Sequence, residues 1–251
     1  MYTKPQLIQQ IEALGIQPDD LLHIHISLKS VGPIAAENTT AAEVMIDALR
    51  HCVRDGLLLI PGYTYSNIRK YPVFDVRNTQ PCVGAVPTVA VQLANKAYDA
   101  GDRTVIRSLH PAHSVVAFGK KAREYVKDDE RAATPMPPFG SHKKLYDRKG
   151  KILLIGVGLT SCTFIHAIDE YMEPDGVSAP YPVDVIDYAC NKSPRFACNC
   201  KGPAASYDKY MPCLIKSGAV TFGKIGDADV CLCDAVKMFE SITAVWKELN
   251  P

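Results

Sequence analysis

The sequence lacks a surplus of charge of either sign: 28 Lys+Arg face 27 Asp+Glu over 251 residues. Without a basic excess it is not expected to bind nucleic acid, whose phosphates are met by clustered cations. It has no acidic surplus either, and 47% hydrophobic residues set it apart from disordered acidic chains. Long apolar runs are missing: the longest, 57–61 and 152–159, have strand length and fall well short of a membrane span. Residues 1–10 are polar and carry no charged head followed by an apolar stretch, so no secretory signal is expected. The expectation is a cytoplasmic protein without a membrane partner. Its nine cysteines, an odd count, are then free thiols rather than a disulfide framework.

Internal repeats, low-complexity tracts and dividing linkers are also absent, and the length is ample for one buried core. One domain over residues 1–251 is expected, with a less regular C-terminal lobe from about residue 175. What is present is an alternation of strand-like and helix-like stretches. Helices are expected over 4–14, 40–50, 87–98 and 162–171, and strands over 21–27, 56–60, 105–108 and 152–157. Residues 63–80 and 134–140 read as loops, and 228–249 as a strong amphipathic helix with Leu232, Val236, Phe239, Val245 and Trp246 on its buried side. The alternation predicts an α/β protein.

Three stretches can carry chemistry. In the strand-to-helix junction 151–170, His166 is followed by Asp169 three residues on and Glu170 four on. Helical spacing puts a carboxylate on the imidazole's side of the helix, where it orients the ring and raises its basicity, unless the pair is merely a polar helix face. Cys162, at the start of that helix, is either a nucleophile or a small buried residue. The second stretch, Arg107-Ser108-Leu109-His110-Pro111-Ala112-His113-Ser114 with Phe118, Lys120 and Lys121, gathers hydroxyls, imidazoles and cations suited to a polyphosphate ligand with an apolar arm; a plain connecting loop is the alternative. In the third, His23 and His25 share one strand face, a spacing used by metal hydrolases, and His25 and Ser27 share it equally. Cys198-Asn199-Cys200 and Cys231-Leu232-Cys233 have gaps tighter than zinc motifs use.

Taken in order, these stretches resemble the aminoglycoside 3-N-acetyltransferase family. The likeness is carried by His25-Ile26-Ser27-Leu28-Lys29-Ser30-Val31-Gly32, Pro61-Gly62-Tyr63-Thr64-Tyr65 and the run from Arg107 to Gly119. It continues through Phe139-Gly140-Ser141, Leu145-Tyr146, Gly156-Val157-Gly158 with Thr163-Phe164-Ile165-His166, and the stretch from Val220 to Ala228. The resemblance implies an α/β/α layered fold distinct from the common GNAT acetyltransferase fold. It implies acetyl-CoA as cosubstrate and direct acetyl transfer to a small-molecule amine acceptor of aminoglycoside type.

It further implies His166 as general base with Asp169 behind it, where the family usually has Glu. His25, Ser27, Leu28, Ser30, Arg107, Ser108, His113, Ser114 and Phe118 are expected along the CoA-binding wall, and Tyr63, Tyr65, Asp75 and Glu170 on the acceptor side. No resident metal is expected. Where family members carry Gly-x-x-Pro-Glu, this chain has Gly84-Ala85-Val86-Pro87-Thr88, so an acid of the acceptor side is missing. Two other readings stay open: a metal-dependent hydrolase using His23, His25, His110 and His166, and a CoA-binding member that acts on a non-antibiotic amine or is inactive. The sequence leaves oligomeric state open.

Overall fold

The computed structural model describes residues 1–134, 136–137, 139–174, 181–188, 196–198 and 206–250. Its frame is a seven-stranded sheet in the order β4-β5-β2-β1-β6-β10-β9. The central strands β1 (Leu21–Ile26), β2 (Leu57–Pro61) and β6 (Lys151–Ile155) run parallel. On one side β5 (Val115–Phe118) and β4 (Val105–Arg107) add antiparallel; on the other, β10 (Ala228–Asp234) and β9 (Val220–Ile225) do the same. A small second sheet pairs β3 (Val73–Asp75) with β7 (Tyr181–Ile186) and β8 (Phe196–Cys198).

Strand residues alternate between two cores, as a sheet covered on both faces requires. Leu22, Ile24, Leu153 and Ile155 pack under α1 (Lys4–Glu12), α2 (Ala41–Cys52) and α4 (Ala85–Asp99). Ile152 and Leu154 face the opposite layer, built from α5 (Ala122–Val126), α6 (Ser141–Asp147), α7 (Thr163–Met172), α8 (Met211–Lys216) and α9 (Ala235–Leu249). The three layers are the α/β/α arrangement expected. Among the described residues no helix is long and apolar enough to cross a membrane.

Two stretches differ from expectation. Residues 63–80 hold α3 (Tyr65–Lys70) and β3 rather than a plain loop, with Ile68, Phe74 and Val76 closing a small core against Val183 and Val185 of β7. The amphipathic helix expected over 228–249 begins only at Ala235. Residues 228–233 alternate in period two and pair with β6 and β9, and the Asp234 carboxylate accepts from Val236 N–H and Lys237 N–H to start α9. The β9–β10 turn needs Gly226: it has φ +58°, and a Cβ there would stand 2.2 Å from the Val31 carbonyl oxygen. The C-terminal lobe expected from about 175 is in part an extension of the main sheet.

Candidate active site

The parallel strands β2, β1 and β6 end on the same edge, where α/β sheets place their ligands. Their continuations meet at a cavity of about 500 Å³. Ile24, Ile26, Ile60, Pro61, Val83 and Val157 give it apolar wall, while His25, His113, His166, Glu170 and Arg69 give it polar groups. Helix α7 contributes Thr163, His166, Ala167 and Glu170, one stripe at helical spacing. Phe164, Ile165 and Ile168 turn the other way into the core and hold the helix in place. Gly156 lets β6 lead into this helix: at φ +61° its missing Cβ would stand 2.4 Å from Ser30 Cβ.

Asp169 lies beside that stripe, buried and turned toward the C-terminal elements. Tyr207, in the short 3-10 turn before α8, donates its hydroxyl to Asp169 Oδ2 at 2.7 Å, and the hydroxyl oxygen of Tyr207 lies 2.8 Å from His166 Nδ1. A phenol whose proton is spent on a carboxylate can only accept from the ring, so Nδ1 carries the hydrogen and Nε2 the lone pair. Burial, and next the bond to Asp169, hold the phenol protonated by raising its pKa. The other carboxylate oxygen accepts from the indole of Trp246 on α9 at 2.8 Å. Asp169 therefore reaches His166 through Tyr207.

Beneath the cavity the Thr163 hydroxyl is a hub. It lies 2.7 Å from the Tyr63 hydroxyl, 3.0 Å from His142 Nε2 and 3.3 Å from His25 Nε2, and Tyr63 is 3.4 Å from His23 Nε2. Burial lowers the pKa of His23, His25 and His142, with neighbouring histidines adding to the effect, so these rings are neutral. His23 and His25 share a strand face as expected but serve this network. Among the described residues no three His, Cys, Asp or Glu side chains are arranged to hold a metal ion. The hydrolase alternative thus finds no ligand set there. Cys231 and Cys233 face the same side of β10, with their sulfurs 3.6 Å apart, while Cys200 and the Cys198 side chain lie outside the described residues.

The expected CoA wall divides. His25 and His113 line the cavity; Ser27, Leu28 and Ser30 sit half-buried just past the end of β1, with Ser30 Oγ donating to Ser27 Oγ at 2.8 Å. Arg107, Ser108, Ser114 and Phe118 do not lie where a ligand could meet them. Arg107 is 1% exposed and donates to the carbonyls of Val76, Thr79 and Gly62 and to Ser114 Oγ, over the ring of Phe74. It ties β3, the turn after it and the end of β2 together, and its guanidinium is not offered to a phosphate. Ser108 donates to Asp129 and Ser114 to the Gly62 carbonyl. Phe118 pairs opposite Leu58, at the start of β2, because β5 runs antiparallel to it. Lys120 and Lys121 follow Phe118 at that far edge of the sheet.

On the expected acceptor side, Tyr63, Tyr65 and Glu170 line the cavity. Asp75 does not: its carboxylate accepts from Arg77 N–H, Asn78 N–H and the Asn78 amide, capping its own turn. Thr88, in the place of the family acid, donates to the Gly84 carbonyl at 3.0 Å. Arg69, which the sequence did not single out, stands in the wall. Tyr207 was missed as well, since nothing in its surroundings in the chain marks it.

The fold and the comparisons define the class of protein, a family built on a layered α/β sheet. The family model for aminoglycoside 3-N-acetyltransferase matches residues 24–247, and the chain belongs to that family. Among curated relatives it is 25% identical over 200 residues to aminoglycoside N(3)-acetyltransferase VIII of Streptomyces fradiae, covering 73% of this chain and 67% of that one. It is 28% identical over 183 residues to aminoglycoside N(3)-acetyltransferase III of Serratia marcescens, covering 66% and 63%. The matches thus span about two thirds of those relatives' length. Among solved structures, sisomicin-bound AAC-VIa superposes with a TM-score of 0.79 at 20% identity, covering 99% of this chain and 98% of that one. AAC-IIIb in binary complex with CoASH gives 0.78 at 20% identity, covering 98% and 97%. The YokD protein of Bacillus subtilis gives 0.73 at 20% identity over the full length of both chains. At these identities the structural likeness speaks for the fold.

Proposed function

We propose that this protein moves an acetyl group from acetyl-CoA to an amine, with His166 as general base. The observation that carries the reading is the Asp169–Tyr207–His166 chain, which leaves a basic Nε2 on an imidazole that lines the cavity. The family match supports the reaction class. The cavity supports the cosubstrate: Ile24, Ile26, Ile60, Val83 and Val157 offer apolar surface to a pantetheine arm, and His166 lies in the same wall.

An ammonium has no lone pair, so the acceptor must lose a proton to react. With the ammonium's first proton gone to solvent, His166 Nε2 takes a second from the amine nitrogen as it attacks the thioester carbon, and the new imidazolium is stabilised by Nδ1–H donation to a hydroxyl backed by Asp169. The N–C bond forms, the C–S bond breaks, and the proton held by His166 passes to the leaving sulfur. General-base help of this kind contributes about a hundred- to ten-thousand-fold, and holding both substrates in one cleft on the order of 7–11 kcal/mol in favourable systems. Transfer is direct. Cys162, the sequence's candidate nucleophile, is fully buried, is absent from the cavity wall, and has its thiol pushed up to about 12 by burial.

The acceptor is an amine of aminoglycoside type by family. A second reading, an amine with fewer positive charges, is favoured by one observation: the cavity wall carries Arg69 while Asp75 is spent on its own turn. Thiol release from acetyl-CoA by the purified protein, with aminoglycosides and then simple amines, tests both. Release that needs an acceptor and vanishes in His166→Ala supports the reaction. Turnover of simple amines alone, with aminoglycoside turnover appearing in Thr88→Glu, supports the second acceptor class. A stable acetylated cysteine after mixing with acetyl-CoA alone would sink direct transfer.

A further inference from the structure

His113 lines the same cavity as His166, yet its surroundings are opposite. His166 Nδ1 is met by a hydroxyl backed by a carboxylate, whereas His113 Nδ1 is buried with no hydrogen-bond partner among the described residues. The ring is held rigidly. Its backbone N–H donates to His110 Nδ1 at 2.9 Å, Tyr63 stands edge-on at 5.5 Å, and Tyr65 lies 6.4 Å away. The loop carrying it is stapled to the end of β2, through Thr64 N–H to the Ala112 carbonyl and the Thr64 hydroxyl to the Pro111 carbonyl. Burial, with His110 and His166 near, drives the ring neutral.

A neutral imidazole has one hydrogen to place. An orphaned N–H costs more than an orphaned lone pair in a buried setting, so the hydrogen sits on Nε2 and the buried Nδ1 keeps its lone pair. Nε2 is the ring nitrogen the cavity can reach, and it is a donor. The hydroxyl of Ser114, next in the chain, is not free to do the same, since it gives its hydrogen to the Gly62 carbonyl.

We propose that His113 Nε2–H is the donor that holds the thioester oxygen as negative charge develops on it. The inference rests on the acyl-transfer reading. As the amine nitrogen bonds to the carbonyl carbon, the C=O π pair moves onto oxygen and is met by this N–H. Collapse restores the carbonyl and expels the CoA sulfur, which receives the proton carried by His166. His113 keeps its own hydrogen throughout. One imidazole serves as base and the other as fixed donor, and their Nδ1 surroundings decide which is which.

The test uses the full chain with acetyl-CoA labelled at the carbonyl carbon, comparing wild type with His113→Leu, His113→Gln and His113→Asn. Infrared spectra of the bound thioester without acceptor report carbonyl polarisation; kcat and KM come from thiol release. In wild type the carbonyl band moves to lower frequency on binding, and the leucine variant loses that shift. Its kcat falls by about 10²–10³-fold with the same loss at every pH, while KM for acetyl-CoA stays within about threefold. Glutamine, whose amide N–H reaches the Nε2 position, recovers part of both effects, and asparagine, which mimics Nδ1, does not. If the leucine variant does not fold, the glutamine–asparagine contrast carries the decision.

Equal kcat and band position in glutamine and asparagine variants would overturn the proposal, as would an unchanged kcat in a folded leucine variant. A loss confined to one limb of the pH profile would make His113 a base instead. Failure of wild type to bind acetyl-CoA at all would overturn the acyl-transfer reading itself. Binding and turnover without a carbonyl shift would overturn only the role of His113.

Discussion

The hydroxyl of Tyr207 lies 2.8 Å from Nδ1 of His166 and carries the influence of Asp169 to it. Asp169 is held on its other side by Trp246, so the carboxylate is fixed by two donors from elements far along the chain. Of this relay the short Thr163–Met172 helix supplies His166 and Asp169. The groups that position them come from the C-terminal third.

Tyr207→Phe keeps the ring packing and removes the link. It should lower kcat by about ten- to a hundredfold, part of the factor a positioned base supplies, with KM for acetyl-CoA little changed. The acid limb of the kcat profile should move to lower pH in the same variant, because the imidazolium has lost its backing. A kcat and pH profile equal to wild type would show that Asp169 acts on His166 without Tyr207.

Arg107→Lys tests whether that cation binds ligand or holds the fold. The guanidinium's bonds to Gly62, Val76, Thr79 and Ser114 need its planar fork, which an ammonium does not reproduce. The variant should lose about 2–4 kcal/mol of unfolding free energy by denaturant titration, because buried carbonyls are left unpaired. Its folded fraction should bind acetyl-CoA with the wild-type Kd. A normal stability with a weakened Kd would return Arg107 to the phosphate.

Where local pattern decides the structure, the sequence was legible. Leu22, His23, Ile24 and His25 alternate between the two faces of β1, and Thr163, His166 and Glu170 fall on one helical stripe facing the cavity. Residues 228–249 misled because Leu232, Val236 and Phe239 also satisfy helical spacing. Pairing with β6 and β9 selects the strand for 228–233, and Asp234 then caps the helix. Arg107 looked like a phosphate ligand because no sequence pattern shows that Gly62, Val76 and Thr79 turn their carbonyls toward it. Tyr207 lies 38 residues from Asp169, and its role exists only once the C-terminal elements have packed onto the sheet.

The Thr163 hub predicts a large effect from a small change. Thr163→Val keeps the shape but leaves Tyr63, His25 and His142 each short of a partner in buried surroundings. The expected loss is about 2–5 kcal/mol of stability, more than deletion of one exposed hydroxyl would cause. Thermal unfolding measured alongside Thr160→Val, which alters another cavity-lining hydroxyl, provides the comparison. Equal Tm losses in the two variants would refute the hub.

Stability should fall on acidification, with an opposing contribution from one carboxyl. His23, His25, His113 and His142 have pKa values lowered well below 6.5 by burial, and His110 is pushed down to about 4. The unfolded chain then binds more protons below pH 6.5, so the stability these rings contribute is present above that pH and is lost as pH falls. For His110 alone the loss is about 3 kcal/mol once its folded pKa is passed. Asp129 works the other way. Burial, opposed by its bond from Ser108, raises it from an ordinary 3.8 to about 7, so its contribution is present below pH 3.8 and lost as pH rises to about 7. The histidines outnumber it, and denaturant titrations should place maximal stability above about pH 6.5. Asp129→Asn removes the opposing contribution, so the rise in stability from pH 5 to pH 8 should be larger in the variant by about 2–3 kcal/mol. Superposed curves for the two proteins would mean that Asp129 is already ionised in the folded chain at pH 5.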